Sequence, residues 1–362
     1  MPATTEQPIS KPHPNLRPVL YISVHVPKPA ITRRHNDEKQ PTPRNSHLRI
    51  PNDIPNLQYL AVLDLLTKET MAQDPRALLQ KADKTLSSAG GGFSFFGGRE
   101  DKYQNAADLY IQAANAFKMQ KLNREAGQAF EKAAQVQTNN LKEPDDAANT
   151  LVDAFKAYRK DDPEAAVRCL DVAVNQYCAK GNFRRAAGHK EALGELFETE
   201  LGDSKRALES YEAAAGWYEG DNAAALANKL WLKVADVASL EGDYYKAIEN
   251  YEKVAAASIN NNLMKYSVKD YFLRAGICHL ATGDMVAARR AVEKYADMDP
   301  GFAQQREAML LNDLLAAVEG GNQEEFTDKL FQYDQVSKLD KWKTTLLVRV
   351  KNAIEEPEDE FA

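Results

Sequence analysis

From residue 100 onward the chain repeats itself every 40 or 41 residues. Ala126, Ala166, Ala207, Ala247 and Ala288 mark the repeat, and four residues after each stands a larger side chain: Phe130, Leu170, Tyr211, Tyr251 and Val292. A spacing of four puts both residues on one helix face, a turn apart. The small residue lets a neighbouring helix approach, and the large one fills the space beside it. The closest pair of segments, GDSKRALESYEAAA (202–215) and GDYYKAIENYEKVA (242–255), shares Gly-Asp, a basic-Ala pair and Tyr-Glu at one offset. Gly202, Gly242 and Gly283 each precede an aspartate. In such punctuation glycine closes one helix and aspartate caps the next. Further helical patterns, RRAAGHKEALGELF and ANKLWLKVADVASL, lie between the anchors, so each repeat holds two helices. The prediction is an all-α solenoid of tetratricopeptide-like helical hairpins, with a unit longer than the usual roughly 34 residues.

The repeat does not extend to the ends. Residues 1–70 hold 11 of the 16 prolines and nine Lys/Arg against six Asp/Glu, a charge of +3 in a chain of net −7. Apart from QYLAVLDLL (58–66), little there reads as a packed element, so this segment is expected to be a disordered extension. After Pro300 the period fades, and REAMLLNDLLAAVEGG and the run from Glu324 to Glu356 read as longer helices. A bundle over 301–354 would hide the last apolar face of a repeat domain spanning 71–300.

Signals of catalysis are weak. Four of the six histidines precede residue 71, leaving His189 and His279 with no HExxH-type spacing, so neither metal nor cofactor is expected. Cys169, Cys178 and Cys278 are odd in number and lack CxxC spacing, which suits small buried hydrophobes in a reducing compartment. No apolar run reaches the ~18 residues of a membrane span, and the N-terminus does not read as a signal peptide. Outside residues 1–70 the chain is acidic, and its basic strip lacks interleaved stacking aromatics, so nucleic acid is a poor partner.

Three features point instead to binding. In SSAGGGFSFFGGRED (87–101), Phe93, Phe95 and Phe96 stand among glycines. Each would contribute about 1.5–3 kcal/mol if buried, so leaving them in a loop needs a reason. A phosphate loop is excluded by the missing GxxxxGK[ST] and by the acids that follow; a folded-back core anchor and a wedge for an apolar surface both remain. Second, Arg159, Lys160, Arg184, Arg185, Lys190, Lys229, Lys233, Lys265 and Lys269 are spread through the middle repeats, with Lys190, Lys229 and Lys269 spaced 39 and 40 residues apart. They form either a ladder facing an acidic partner or an ordinary scatter of surface charge. Third, EEPEDEFA (355–362) is either a solubilising tail or a docking peptide with one aromatic anchor.

Taken together, AANAFKMQK (113–121), FETELGDSKRALESYE (197–212), LMKYSVKDYF (263–272), LDKWKTTLLVRVK (339–351) and the acidic tail resemble the soluble NSF attachment proteins of the alpha type. The resemblance, closest to a fungal-like member with an added N-terminal extension, covers 71–362. It implies a right-handed superhelix that binds assembled four-helix SNARE bundles, several copies to a bundle, and recruits the hexameric AAA ATPase NSF. It assigns the SNARE-facing wall to Arg159, Lys160, Lys229, Leu263, Lys265, Lys269 and Arg306. Where animal members carry lysine this chain has Gly188, with Arg184, Arg185 and Lys190 nearby. It assigns Phe93, Phe95 and Phe96 to a membrane surface, and Glu319, Glu358, Asp359, Glu360 and Phe361 to NSF. Phe361 stands where the family usually has leucine, and Gly320 replaces a frequent acid. The implied location is cytoplasmic, peripheral to membranes of the secretory and vacuolar pathways. Two rivals are a general repeat scaffold that grips acidic peptides and an enzyme on a helical-repeat frame, such as a prenyltransferase-type subunit.

Overall fold

The computed structural model describes residues 74–90 and 98–354. The extension, the phenylalanines of 93–96 and the acidic tail lie outside the described residues. The described residues form fourteen α-helices and no strand: α1 Pro75–Gly90, α2 Gly98–Met119, α3 Asn123–Val136, α4 Pro144–Tyr158, α5 Pro163–Ala179, α6 Phe183–Leu196, α7 Ser204–Gly220, α8 Ala224–Leu240, α9 Tyr244–Ser258, α10 Val268–Thr282, α11 Met285–Met298, α12 Arg306–Glu319, α13 Gln323–Val336 and α14 Lys341–Asn352. The fold is all-α, built of helical hairpins.

The alanine anchors fall on α3, α5, α7, α9 and α11, and all five are buried, as are the large residues that follow them. The predicted punctuation is present. Gly202, Gly242 and Gly283 adopt positive φ, where a β-carbon is penalised, and Asp203, Asp243 and Asp284 each accept a hydrogen bond from the backbone N–H three residues on.

Side-chain pairs arrange the helices into two walls. Cys169–Glu131, Arg206–Glu164, Lys246–Glu212 and Lys294–Glu252 link α5 to α3, α7 to α5, α9 to α7 and α11 to α9. Arg185–Asn149, Lys229–Glu191, Arg274–Asp236 and Lys269–Glu307 do the same along α4, α6, α8, α10 and α12. From α3 to α12, odd helices therefore line one wall and even helices the other.

Two features depart from the sequence reading. Helices α3 and α6 run on into π-helical turns, Gln137–Leu141 and Phe197–Leu201, each closed by a left-handed residue, Lys142 or Gly202. The stretch read as one longer helix after Glu324 is divided. Asp334 accepts the N–H of Leu339, Ser337 is extended, and Asp340 caps α14 through the N–H of Lys343.

Helix α14 returns to pack on α8 and α10. The indole N–H of Trp342 donates to Ser239 Oγ at 2.9 Å, and Arg349 donates to the carbonyls of Ser239 and Leu240. The bond to Leu240 satisfies a backbone acceptor that the C-terminus of α8 would otherwise leave to water, while the Ser239 carbonyl also accepts the N–H of Gly242. Beside them Arg274 reaches Asp236, Asp270 and Asp340 at 2.9, 2.9 and 2.8 Å, while the buried Lys343 holds Asp270 and Asp340 at 2.8 and 3.0 Å. In the core, Phe272 stacks on Tyr295 and Phe302 packs edge-on to both.

Candidate protein-binding wall

The basic residues singled out by the sequence lie on the even helices or in the turns beside them, and most already hold a carboxylate. Lys229 on α8 meets Glu191 on α6 at 2.8 Å, and Lys269 on α10 meets Glu307 on α12 at 3.0 Å. Both carboxylates are well buried, with 17% and 10% side-chain exposure. The hydrogen bond that Lys229 donates to Glu191, with the charge of that carboxylate, holds the Lys229 ammonium above the ordinary lysine range. Lys233, also on α8, pairs with Glu198 at 2.7 Å. Lys190 differs from the other members of the ladder. It turns to Asp171 on α5 at 3.3 Å, between the walls rather than along one.

Arg159, at the end of α4, lies 3.8 Å from Glu195 and 4.0 Å from Glu200. Arg184 meets Asp221 at 3.4 Å. Arg185 has a neutral partner, the side-chain oxygen of Asn149 at 2.7 Å. Arg306 donates to Ser337 at the far end of the wall. Lys160 and Lys265 have no carboxylate within 4.0 Å among the described residues. Local carboxylates thus offset much of the positive charge on these residues.

The chain between α9 and α10 forms an exposed apolar tip. Leu263 is 89% exposed and Tyr266 74%, and Lys265 lies over the Tyr266 ring at 5.4 Å. A cleft of about 390 Å³ opens beside it, lined by Lys265, Tyr266, Lys269, Asp299 and Gln305. Tyr266 escaped the sequence reading because a lone tyrosine in a polar loop carries no periodic signal. Glu319, at the end of α12, pairs with Arg289 of α11. The membrane-directed phenylalanines and Glu358, Asp359, Glu360 and Phe361 lie outside the described residues.

Among the described residues no group of three or more His, Cys, Asp or Glu side chains is placed to hold a metal. Cys169 and Cys278 are buried, and burial pushes both thiols up, so neither is a ready nucleophile; Cys178 is half-buried, more open than the sequence suggested. Among the described residues no helix is long and apolar enough to cross a membrane.

The sequence model of the family described as "Soluble NSF attachment protein, SNAP" matches residues 73–355. The chain belongs to the soluble NSF attachment protein family. A probable vesicular-fusion protein sec17 homolog of Neurospora crassa is 59% identical over 81% of this chain and 100% of its own length. One of the same description from Schizosaccharomyces pombe is 50% identical over 80% and 100%. The human alpha-soluble NSF attachment protein is 40% identical over 79% and 96%. The family match therefore takes in all fourteen helices and begins where the proline-rich segment has ended.

Proposed function

We propose that the chain is an adaptor, without catalytic activity of its own, that binds assembled four-helix SNARE bundles and brings to them an NSF-type AAA ATPase. The observation that carries this reading is the match, over their whole or nearly whole length, to relatives named as vesicular-fusion and NSF attachment proteins. Several copies lie along one bundle with the even wall inward. Arg159, Lys160, Arg185, Lys229, Leu263, Lys265, Lys269 and Arg306 make the contact, with Arg184 and Lys190 at its edge. Glu319 and the tail residues Glu358, Asp359, Glu360 and Phe361 meet the ATPase. Phe93, Phe95 and Phe96 enter the interface of the membrane that anchors the SNAREs. Three rings give only marginal, reversible attachment alone, and they gain from sharing a surface with the SNARE contact. The adaptor works at the cytoplasmic face of secretory and vacuolar membranes, as a peripheral protein. A general scaffold for acidic peptides would use the same cations, but family membership favours the adaptor.

The test is assembly. Full chain, a SNARE complex and the ATPase, with its nucleotide held unhydrolysed, should co-elute on gel filtration, and the ATPase should reach the SNARE complex only when the chain is present. Lys229→Glu with Lys269→Glu should weaken the SNARE contact most at low ionic strength, where charge is least screened. Absence of co-elution by the folded chain would refute the adaptor reading.

A further inference from the structure

Helix α6 carries four basic side chains, and the structure sorts them by what each already holds. Arg184 sits on Asp221 and Lys190 on Asp171. His189 is half-buried and stacks on the Tyr177 ring of α5, with centroids 5.3 Å apart and planes 21° from parallel. Burial, together with the charges of Arg185 and Lys156, holds its pKa below the ordinary histidine value. The fourth, Arg185, is exposed and has no carboxylate within 4.0 Å among the described residues. Its guanidinium carbon lies 4.4 Å from the centroid of the Tyr177 ring, and Nη2 donates to Asn149 Oδ1 of α4 at 2.7 Å. The Tyr177 hydroxyl donates to the same oxygen at 3.0 Å, which fixes the Asn149 amide. Three helices thus position one guanidinium that, among the described residues, has no ion-pair partner.

The acids in the neighbourhood are engaged elsewhere. Asp145 accepts from Gln176 and meets Lys180, and Asp153 meets Lys156. We propose that Arg185, held by Asn149 and Tyr177, is a carboxylate seat on the even wall, where an acidic side chain of the partner helix bundle docks beside His189 and Lys156. This rests on the adaptor reading. An arginine ordered before binding loses little rotamer freedom on contact, and its planar fork donates two parallel hydrogen bonds to a carboxylate. Lys229 and Lys269 differ. A carboxylate arriving there must share an ammonium with the well-buried Glu191 or Glu307, so like-charge repulsion offsets part of the attraction. The seat, more than the spaced lysines, therefore governs affinity at this repeat.

The experiment measures affinity of the full chain for an assembled SNARE complex freed of its membrane anchors, across a series of salt concentrations. Arg185→Gln leaves no carboxylate orphaned, so its thermal midpoint should stay that of the parent while affinity falls about tenfold at low salt and the salt dependence flattens. Arg185→Lys should recover part of the loss, because it restores charge without the fork. Asn149→Ala, which keeps the charge and removes its support, should lose about threefold, and Lys229→Gln should lose less than Arg185→Gln. Equal binding by the parent and Arg185→Gln would overturn the seat and leave the adaptor reading standing. No binding by the parent would overturn both. Loss of Arg185→Gln binding to anionic vesicles, with binding to the SNARE complex unchanged, would overturn the seat by assigning the guanidinium to lipid phosphate.

Discussion

Replacing Arg274 with methionine removes the central cation of the network that fastens α14 to the repeats while keeping most of the side chain's bulk. Arg274 is 17% exposed and meets three carboxylates, and its guanidinium lies 4.8 Å from the Trp342 ring centroid. In the variant, Lys343 still holds Asp270 and Asp340. Asp236 keeps the Tyr251 hydroxyl but loses its direct ion pair. Breaking one side of a buried pair costs about 3–5 kcal/mol. The three carboxylates here are 34–42% exposed, so water screens part of the orphaned charge and about 2–3 kcal/mol is expected. Urea unfolding at neutral pH reads the loss. Burial already holds Asp236 above the usual carboxylate range, and losing Arg274 lifts it further. A raised carboxyl costs stability above its folded pKa and is relieved as pH falls, so the variant should be hurt less at pH 5 than at pH 8. Adding Asp236→Asn should recover at least half of the loss. An unchanged urea midpoint for Arg274→Met, or a double variant that loses the sum of the two singles, would refute the reasoning.

The same structure predicts other outcomes. A β-carbon at Gly194 would come within 2.6 Å of the Tyr211 ring, so Gly194→Ala should cost about 1–3 kcal/mol in thermal unfolding. Gly216, exposed within α7 with nothing near it, should gain roughly 0.5–1 kcal/mol on becoming alanine. Glu252 is held at about 2, well below its ordinary 4.5: burial alone would raise it, but His279, Lys294 and the Tyr295 hydroxyl prevail. Its contribution, about 1–2 kcal/mol after screening, is present above pH 4.5 and lost as pH falls toward 2, so the stability gap between parent and Glu252→Gln should close over that window. Phe95→Ser with Phe96→Ser should spare SNARE disassembly in detergent and lower it on liposomes; equal loss in both would contradict a membrane role for the loop.

The walls were legible because their signals are local. Ala207 and Tyr211 share a face four residues apart, and Gly202-Asp203 announces a helix boundary wherever it stands. The π-helical turns were not legible, since QTNNL and FETEL differ little from ordinary helix ends. The division of the last helical stretch depends on Asp334 reaching Leu339, a turn that competes with continuing the helix. At the wall, spacing located Lys190, Lys229 and Lys269 but could not reveal what each already holds. Glu191 and Glu307 lie 38 residues from their lysines on adjacent helices, and nothing in the local pattern selects them from the many other acids. Trp342 and Ser239, 103 residues apart, meet only because α14 folds back. Arg185 gained its significance in three dimensions, where Asn149 and Tyr177 set it apart from Arg184 beside it.

The most direct measurement of the central claim is the ATP hydrolysis rate of NSF with an assembled SNARE complex, with and without the full chain, comparing Phe361 intact with Phe361→Ala. The adaptor reading predicts strong stimulation by the intact chain, reduced by the substitution while SNARE binding is unchanged. A folded chain that binds the SNARE complex yet leaves the rate at its basal value would contradict it.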